Sequence, residues 1–228
     1  MNKHLQIPYQ PSLRGKSMEQ INALIDDLGG KAAIDQVNWE KAFPYMPLTT
    51  VYIVRTDEML YIKWRVRGSM LKAVYTKDLD PVWKDSCVEF FCQVPDSEYY
   101  INLEFNCIGT STAAVRRSRQ DVLGHLTADE FQKIERYASL GRRPFCEIDG
   151  HFRWELCIGI PFSLLLNPQT ENGGIEGLDS ARPMPRTLRG NFYKCADDTS
   201  SMHYVSWNPI HTENPDFHRP EDFGELIL

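Results

Sequence analysis

The sequence has little of what marks several large functional classes. It lacks an excess of basic charge, because its 228 residues carry 25 lysines and arginines against 31 aspartates and glutamates, a formal net charge of −6. Charges of both signs are spread along the chain, without the basic footprint of a nucleic-acid-binding protein or of a protein that binds an anionic membrane surface. We therefore expect neither partner.

Long apolar runs are also missing. No window approaches the roughly 18 consecutive apolar residues of a membrane span. The first residues, MNKHLQIPYQPSLRG, lack the apolar region of a signal peptide. As it stands, the chain is expected to be soluble and cytoplasmic.

Catalytic and metal-binding motifs are scarce as well. The sequence contains no GxSxG, HExxH or P-loop, and its histidines lack metal-ligand spacing on a common element. Its cysteines form no CxxC pair, and most lie in apolar runs, so we predict reduced thiols that face the interior. The six cysteines are Cys87, Cys92, Cys107, Cys146, Cys157 and Cys195. We expect no cofactor and no catalytic metal.

What the sequence does contain is alternation. The segment MLYIKWRVRG places Leu60, Ile62 and Trp64 on one side and Lys63 and Arg65 on the other, the period-two pattern of a strand with one buried face. Other strand candidates are TVYIVRT, MLKAVYT, SCVEFFCQ, YYINLEFNC, HFRWELCIGI, GNFYKC and HYVSW. Many short strands joined by Gly, Pro, Asp and Asn turns indicate a mainly β protein, an antiparallel sandwich or barrel.

Two segments carry helix signals instead. In SMEQINALIDDLGG, Ser17 can cap a short peripheral helix, with Gln20 three residues later. In TADEFQKIERYASLG, Thr127 and Glu130 form a capping-box pattern and Gly141 can end the helix. The second segment is predicted to be a helical insertion packed on the sandwich.

The domain organisation follows from these elements. Residues 1–33 are predicted to be an N-terminal extension with a short helix, and residues 34–228 a single β domain. Residues 167–190 have the Gly, Pro and Asn content of a long loop.

A row of polar residues stands out among the apolar ones. Alternation puts Asn102, Glu104 and Asn106 on one face of YYINLEFNC, and Glu89 on one face of SCVEFFCQ. If these strands pair as a hairpin, carboxylates and amides converge, which suits a neutral polyhydroxylated ligand. Aromatic rings beside a polar floor fit the apolar faces of sugar rings. The predicted sugar-binding residues are Trp83, Asp85, Glu89, Asn102, Glu104, Asn106, Trp207 and Asn208.

Two other interpretations of the carboxylates stay open. Glu89 and Glu104 would be structural if they paired with Lys63, Arg65 or Arg67 on a solvated face, with both tryptophans plugging the sandwich ends. They would be catalytic if they flanked a glycosidic bond, about 5 Å apart in a retaining glycosidase or about 6.5–9.5 Å apart in an inverting one. In a binder we expect Glu89 to be ionised at neutral pH.

Bound groups are a further alternative. A haem would need axial ligands such as Met70 and His203. A structural calcium ion would suit the acidic turns TKDLDP and CADDTSS, which supply hard oxygen ligands. Their carboxylates are Asp78, Asp80, Asp197 and Asp198.

Taken together, the segments resemble the family 9 carbohydrate-binding modules and their stand-alone relatives, which are DOMON-like β-sandwiches. The matching pieces run in the family's order from about Ile34 to Leu228. They are IDQVNWEKA, LYIKWRV, VWKDSCVEFFCQVPDSEYYINLEFNCIGT, WELCIGIPFSLL, GNFYKC, VSWNPI and FHRPEDFGELIL.

The resemblance implies a DOMON-like, immunoglobulin-like jelly-roll sandwich that binds a neutral mono- or oligosaccharide from plant polysaccharide without cleaving it. It implies that Trp83 and Trp207 hold the sugar between them and that Glu89 contacts it. The family's binding arginine has no counterpart in YYINLEFNC. The resemblance also implies action beside a separate glycan-degrading enzyme, and the family is often exported. A xylanase-like hydrolase using Glu89 and Glu104 is the alternative.

Overall fold

The computed structural model describes residues 3–175 and 183–228, and it confirms a mainly β sandwich. The strands in these residues are β1 (His4–Gln6), β2 (Gly30–Ile34), β3 (Leu48–Arg55), β4 (Met59–Ala73), β5 (Cys87–Gln93), β6 (Tyr100–Asn106), β7 (Ser111–Arg116), β8 (Val122–His125), β9 (Glu135–Ala138), β10 (Phe145–Pro161), β11 (Gln169–Thr170), β12 (Gly173–Gly174), β13 (Thr187–Cys195), β14 (Tyr204–Ser206) and β15 (Gly224–Ile227). The helices are α1 (Met18–Leu28), α2 (Ala128–Lys133) and α3 (Phe162–Leu166). No helix among the described residues is long and apolar enough to cross a bilayer.

Two large sheets form the sandwich. Among the described residues, the larger sheet has the order β1-β15-β13-β5-β6-β7-β8, with β14 also paired to β13, and the smaller has the order β2-β3-β4-β10-β9. Pairing is antiparallel except between β1 and β15. The small ribbon of β11 and β12 is bonded to the end of β8, where the Glu171 amide donates to the His125 carbonyl at 2.9 Å.

The main core lies between the two sheets. The predicted alternation on β4, β5 and β6 is confirmed on this side, because Trp64, Phe90 and Phe105 all belong to the core cluster and are fully buried. The rings of Trp64 and Phe105 lie 6.3 Å apart, centroid to centroid, so the two sheets interlock at this point.

Helix α1 covers the outer face of the smaller sheet. It begins after the predicted capping box of Ser17 and Gln20, which is present, and buries Ile21 and Ile25 against Tyr61 and its neighbours. The helix is therefore not peripheral. The strand predicted to have one buried face is buried on both, because α1 shields Tyr61 and Lys63 from water.

The charges beneath α1 neutralise one another. Lys63, only 2% exposed, places Nζ 3.0 Å from an Asp26 oxygen and 3.1 Å from a Glu155 oxygen. Arg65 Nε donates to Glu155 at 2.7 Å, and the same guanidinium pairs with Asp26. Lys63 and Arg65 are thus committed to the smaller sheet, and they do not pair with Glu89 or Glu104 as one alternative required.

The predicted helical insertion is shorter than expected. Thr127 caps α2 by accepting a hydrogen bond from the Glu130 backbone, but the helix ends at Lys133. The next residues form β9, which pairs with β10 from Leu156 to Gly159. The edge of β10 offers these residues a full ladder of backbone hydrogen bonds, and this tertiary pairing overrides the helical pattern of the local sequence.

Two predicted boundaries also shift. The N-terminal segment contributes β1 to the larger sheet and β2 to the smaller, so a boundary at residue 34 does not separate an extension from the sandwich. The segments MLYIKWRVRG and MLKAVYT form one strand, β4, in which Met70 adopts a left-handed φ of 62°. Within the predicted 167–190 loop, β11 and β12 form a ribbon, and residues 176–182 lie outside the described residues.

We predict that Glu155 makes the fold sensitive to acid. Burial alone raises its pKa, but hydrogen bonds from Arg65, Asn22 and Lys63 outweigh burial and lower the pKa to about 2. Because the folded-state pKa lies below that of the unfolded chain, the contribution to stability is present above about pH 4.5 and is lost as the pH falls towards 2.

Glu155→Gln should reduce the free energy of unfolding at pH 7 by roughly 1–3 kcal/mol and flatten the loss of stability between pH 5 and 3. Urea unfolding across this pH range measures both effects. Equal stability of the variant and the parent at pH 7 would show that the cluster beneath α1 adds nothing to the fold.

Candidate functional site

The predicted hairpin positions the polar row. Strands β5 and β6 pair antiparallel, with Glu89 directly opposite Glu104 and Phe91 directly opposite Asn102. These side chains leave the sheet on the side away from the main core, and directly opposed residues have Cβ atoms about 4.5–5.5 Å apart. Two carboxyl groups therefore meet on the outer face of the larger sheet.

A cavity of about 270 Å³ lies over this face. The sheet forms its floor, and the chain between β14 and β15 forms part of its wall. Its lining residues are Trp83, Glu89, Glu104, Arg116, Arg119, Cys195, Asp197, Tyr204, Pro215, Asp216, Phe217 and His218. The cavity thus combines aromatic rings, buried carboxyl groups and arginines.

A second depression, of about 440 Å³, lies beside α2 and is less suited to ligand binding. Two of its polar groups already bind each other, because Arg136 donates to Asp78 at 2.7 Å, and the same guanidinium donates to the Gly109 carbonyl at 3.0 Å. A binding site needs polar groups that a ligand can satisfy. The cavity over β5 and β6 offers such a group in Glu104.

Glu104 is 5% exposed, and its two oxygens differ. Oε1 accepts a hydrogen bond from Asn102 Nδ2 at 2.8 Å, whereas the buried Oε2 has no hydrogen-bond partner. Arg116 Nε in turn donates to Asn102 Oδ1 at 2.9 Å, which fixes the amide. Burial raises the pKa of Glu104 to about 7, against the opposing effects of Asn102 and Arg116.

Glu89 is buried beside a thiol. It is 3% exposed, and its Oε1 accepts a hydrogen bond from Cys195 Sγ at 3.0 Å. Burial raises its pKa well above the usual value, and the neighbouring Cys195 and Glu104 raise it further. Burial thus opposes the ionised state expected for Glu89 at neutral pH, and that state stays a prediction. A protonated carboxyl group both donates and accepts hydrogen bonds, as a sugar hydroxyl does.

Trp83 occupies the edge of the cavity. It lies in the 3₁₀ turn Val82–Lys84 just before β5, and 36% of its surface is exposed. Its backbone carbonyl accepts a hydrogen bond from Asp197 N at 3.0 Å, which ties the turn to the chain after β13. The indole is thus a partly exposed ring on an anchored backbone, and its contact with sugar stays a prediction.

Asp85 and Asn106 were predicted to join the site, but they do not line the cavity. Asp85 is fully buried and accepts hydrogen bonds from the backbone amides of Val74 and Tyr75. Asn106 Nδ2 donates to Asp85 at 3.0 Å, and its Oδ1 accepts from the Thr110 backbone at 2.9 Å. Through these hydrogen bonds, both side chains stabilise turns beside the hairpin.

Trp207 was predicted to be the second sugar-stacking ring, and this placement is wrong. It is 3% exposed and packs in the main core, 5.6 Å from the Phe192 ring. A Cβ atom at Gly224 would lie 2.6 Å from the indole, so the core accommodates Trp207 only beside a glycine. Trp207 continues the inward face that Val205 occupies on β14.

Asn208 is also structural. Its Nδ2 donates to the Asp222 carbonyl at 2.7 Å, and its Oδ1 accepts from the Lys3 backbone at 2.7 Å. These bonds join the two chain ends to the segment after β14. Asn208 does not line the cavity.

Most of the remaining cavity residues were missed. Tyr204 lies in the strand candidate HYVSW, one residue before the inward-facing Val205. Alternation therefore places Tyr204 on the outer face, and this pattern could have identified it as a cavity residue. It pairs with Cys195 in the β13–β14 ladder and lines the cavity. Arg116 lies at the end of β7, a strand that was not predicted. Phe217 and His218 follow β14 in a segment without regular structure, where sequence periodicity carries no information.

The haem and calcium alternatives have different outcomes. Met70 and His203 border a cavity of about 10 Å³, too small for a porphyrin, and His203 Nε2 lies 2.9 Å from Lys194 Nζ. In the acidic turns, Asp78 pairs with Arg136 and Asp198 with Lys72. Asp80 accepts hydrogen bonds from the backbone of its own turn, and Asp197 lines the cavity. Calcium binding in these turns stays a prediction.

All six cysteines are free thiols, and the predicted interior placement is wrong for one of them. Cys146 is exposed. Cys87 and Cys195 are buried, yet they lie on the outer face of the larger sheet beside Glu89 and not in the main core.

Comparison with models of protein families identifies the family of this chain. Residues 19–228 match the model of carbohydrate-binding family 9. The chain belongs to carbohydrate-binding family 9. A search among curated proteins gave no significant match.

Solved structures agree with this placement. A protein from Bacteroides uniformis, to which carbohydrate binding is provisionally attributed, is 31% identical, with a TM-score of 0.86 over 100% of this chain and 99% of that one. A family 9 module from Caldicellulosiruptor kristjanssonii in complex with glucose is 12% identical, with a TM-score of 0.56 over 99% and 95% of the two chains. A family 9 module from the same organism in complex with cellotriose is 10% identical, with a TM-score of 0.55 over 99% of this chain and 93% of that one.

Family membership makes the protein a non-catalytic carbohydrate binder. Nothing in the comparisons or in the described residues supports the hydrolase alternative.

We predict that Trp207 contributes to stability and not to the sugar contact. Trp207→Ala should lower the free energy of unfolding by about 3–5 kcal/mol, because it leaves a large void beside Phe192 and Gly224. Denaturant unfolding measures this loss, and Trp207→Phe, which keeps an aromatic ring, should lose less. A stable Trp207→Ala variant with weakened sugar affinity would return Trp207 to the binding site.

Proposed function

We propose that the cavity over β5 and β6 binds a neutral sugar, with the indole of Trp83 against an apolar face of the ring and Glu104 bonded to a hydroxyl. The observation that carries the proposal is Glu104 Oε2, a buried oxygen without a protein partner beneath a partly exposed indole. Leaving a buried polar atom unsatisfied costs about 1–3 kcal/mol, and a ligand hydroxyl would remove this cost.

The charges of the cavity favour a neutral ligand. Arg116 and Arg119 line it together with Asp197 and Asp216, so neither sign dominates the wall. On the floor, burial raises the pKa of Glu104 and Glu89, which lowers their charge near neutral pH. An anionic ligand would face the aspartates and a cationic one the arginines, whereas sugar hydroxyls can donate to the acids and accept from the arginines.

The volume favours a short ligand. At about 270 Å³, the cavity lies slightly below the range of about 300–1,000 Å³ typical of small-molecule clefts. A monosaccharide, or the last one or two units of a chain, matches this size better than a long glycan lying flat. We therefore place the end of an oligosaccharide in the cavity.

The relatives suggest which sugars to try first. Family 9 modules of the same fold have been solved with glucose and with cellotriose. This supports glucose and short β-glucans of plant origin as ligands of this chain. A binder of such products would act beside a separate glycan-degrading enzyme that releases them.

We predict that Trp83→Ala weakens sugar binding and leaves the fold intact. The ring is partly exposed, so its loss opens no core cavity, but it removes the apolar surface against which the sugar packs. The expected loss is roughly 1–3 kcal/mol, the scale of an aromatic anchor at a binding site. Calorimetric titration with glucose, cellobiose and cellotriose measures it, and thermal unfolding of the same samples checks the fold.

Tyr9→Ala is the matched control, because Tyr9 is a similarly exposed aromatic residue that lies outside the cavity lining. It should leave sugar affinity unchanged. If Trp83→Ala bound every sugar as tightly as the parent protein does, the cavity would not be the binding site.

A further inference from the structure

Beneath the cavity, two thiols and a carboxyl group converge. Cys87 on β5 and Cys195 on β13 are directly paired across the two strands, and both lie on the outer face of the sheet. Cys195 Sγ lies 3.0 Å from Glu89 Oε1, and Cys87 Sγ lies 4.0 Å from the same oxygen. All three ligand atoms lie within 4.8 Å of one another, and all three residues are buried.

These separations match the edges of a small coordination polyhedron. A tetrahedral ion holds oxygen ligands at about 2.0–2.2 Å and sulfur ligands at about 2.3 Å, so ligand atoms around it are about 3.3–3.8 Å apart. The two measured sulfur–oxygen distances, 3.0 Å and 4.0 Å, bracket this range. No pair in the cluster is more than 4.8 Å apart, which exceeds the range by about 1 Å, so side-chain rotations that move the ligand atoms by up to about 1 Å would bring them into coordination geometry.

The donor set selects the kind of ion. Calcium and magnesium prefer ligand sets made of oxygen alone, whereas thiolate sulfur favours zinc, copper(I) and similar thiophilic ions. Two cysteines and one carboxylate therefore favour a cation of the zinc class. The sequence gives no hint of this set, because Cys87 and Cys195 lie far apart along the chain and come together only in the β5–β13 pairing.

The cluster lies beside the cavity over β5 and β6 and next to Glu104. Glu104 lies directly opposite Glu89, is 5% exposed, and carries the buried Oε2 atom that no protein group satisfies. Cys195, Glu89 and Glu104 all line the cavity, which provides an entry path from solvent. Cys87 is fully buried and is not among the lining residues.

We propose that Cys87, Glu89 and Cys195 bind one thiophilic divalent cation of the zinc class, with the remaining coordination position facing the cavity. The proposal goes beyond sugar binding and does not depend on it. Binding displaces the protons of both thiols and any proton on Glu89, and these protons pass to solvent. Affinity for the ion should therefore increase with pH.

Zinc itself is the probe for the test. The reduced, metal-free protein is titrated with Zn²⁺ against a chromophoric chelator, and the metal retained per chain is measured after desalting. One ion per chain is expected. Cys87→Ser and Cys195→Ser should each weaken binding at least about tenfold, since even the loss of an outer-shell partner of a metal site costs about 10–100-fold.

Cobalt substitution keeps the proposal testable if a serine variant fails to fold. The unmodified protein loaded with Co²⁺ should show the visible bands of a tetrahedral ion and a thiolate charge-transfer band. Cys146→Ser is the matched control, because Cys146 is an exposed thiol outside the cluster, and it should retain the full metal content. The absence of retained zinc and of the cobalt bands would overturn the proposal. So would a Cys87–Cys195 disulfide in protein purified without reductant, since it would make the pair a redox couple.

Discussion

The rest of the structure depends on one constraint, which is that the larger sheet holds two glutamates face to face, out of water, on its outer side. Glu89 and Glu104 are paired across β5 and β6 and are almost completely buried. Such a pair is costly unless the groups are neutral or find partners. Cys195 donates a hydrogen bond to Glu89, and Asn102 donates one to Glu104. One oxygen of Glu104 is left without a protein partner.

Buried charged groups are arranged differently on the two outer faces of the sandwich. On the smaller sheet, helix α1 closes over Lys63 and Arg65, and each positive charge meets Asp26 and Glu155. On the larger sheet no α-helix among the described residues closes the surface, and the segment after β14 covers it only in part. The charges of the first face neutralise one another and give stability. The second face retains a cavity beside the unsatisfied Glu104 oxygen, which is the condition for binding.

Sequence patterns predicted the features that depend on local alternation. They predicted the β-sandwich, the β5–β6 hairpin and the shared outer face of Glu89 and Glu104, because period two assigns a face to each residue of a strand. They failed where a contact with residues far away in the sequence determines the structure. Trp207 is in the core because Gly224 makes room for it, β9 is a strand because β10 offers its edge, and Lys63 is buried because α1 returns over it. Arg116 and Phe217 reach the cavity through topology, which no local pattern encodes.

The central claim is that the cavity over β5 and β6 is where the sugar binds. A crystal structure of the protein grown with cellobiose tests it most directly. The account predicts a sugar ring against the indole of Trp83, with a hydroxyl oxygen within about 3.0 Å of Glu104 Oε2. Cellobiose ordered on another surface, such as the depression beside α2, with the cavity empty, would contradict it.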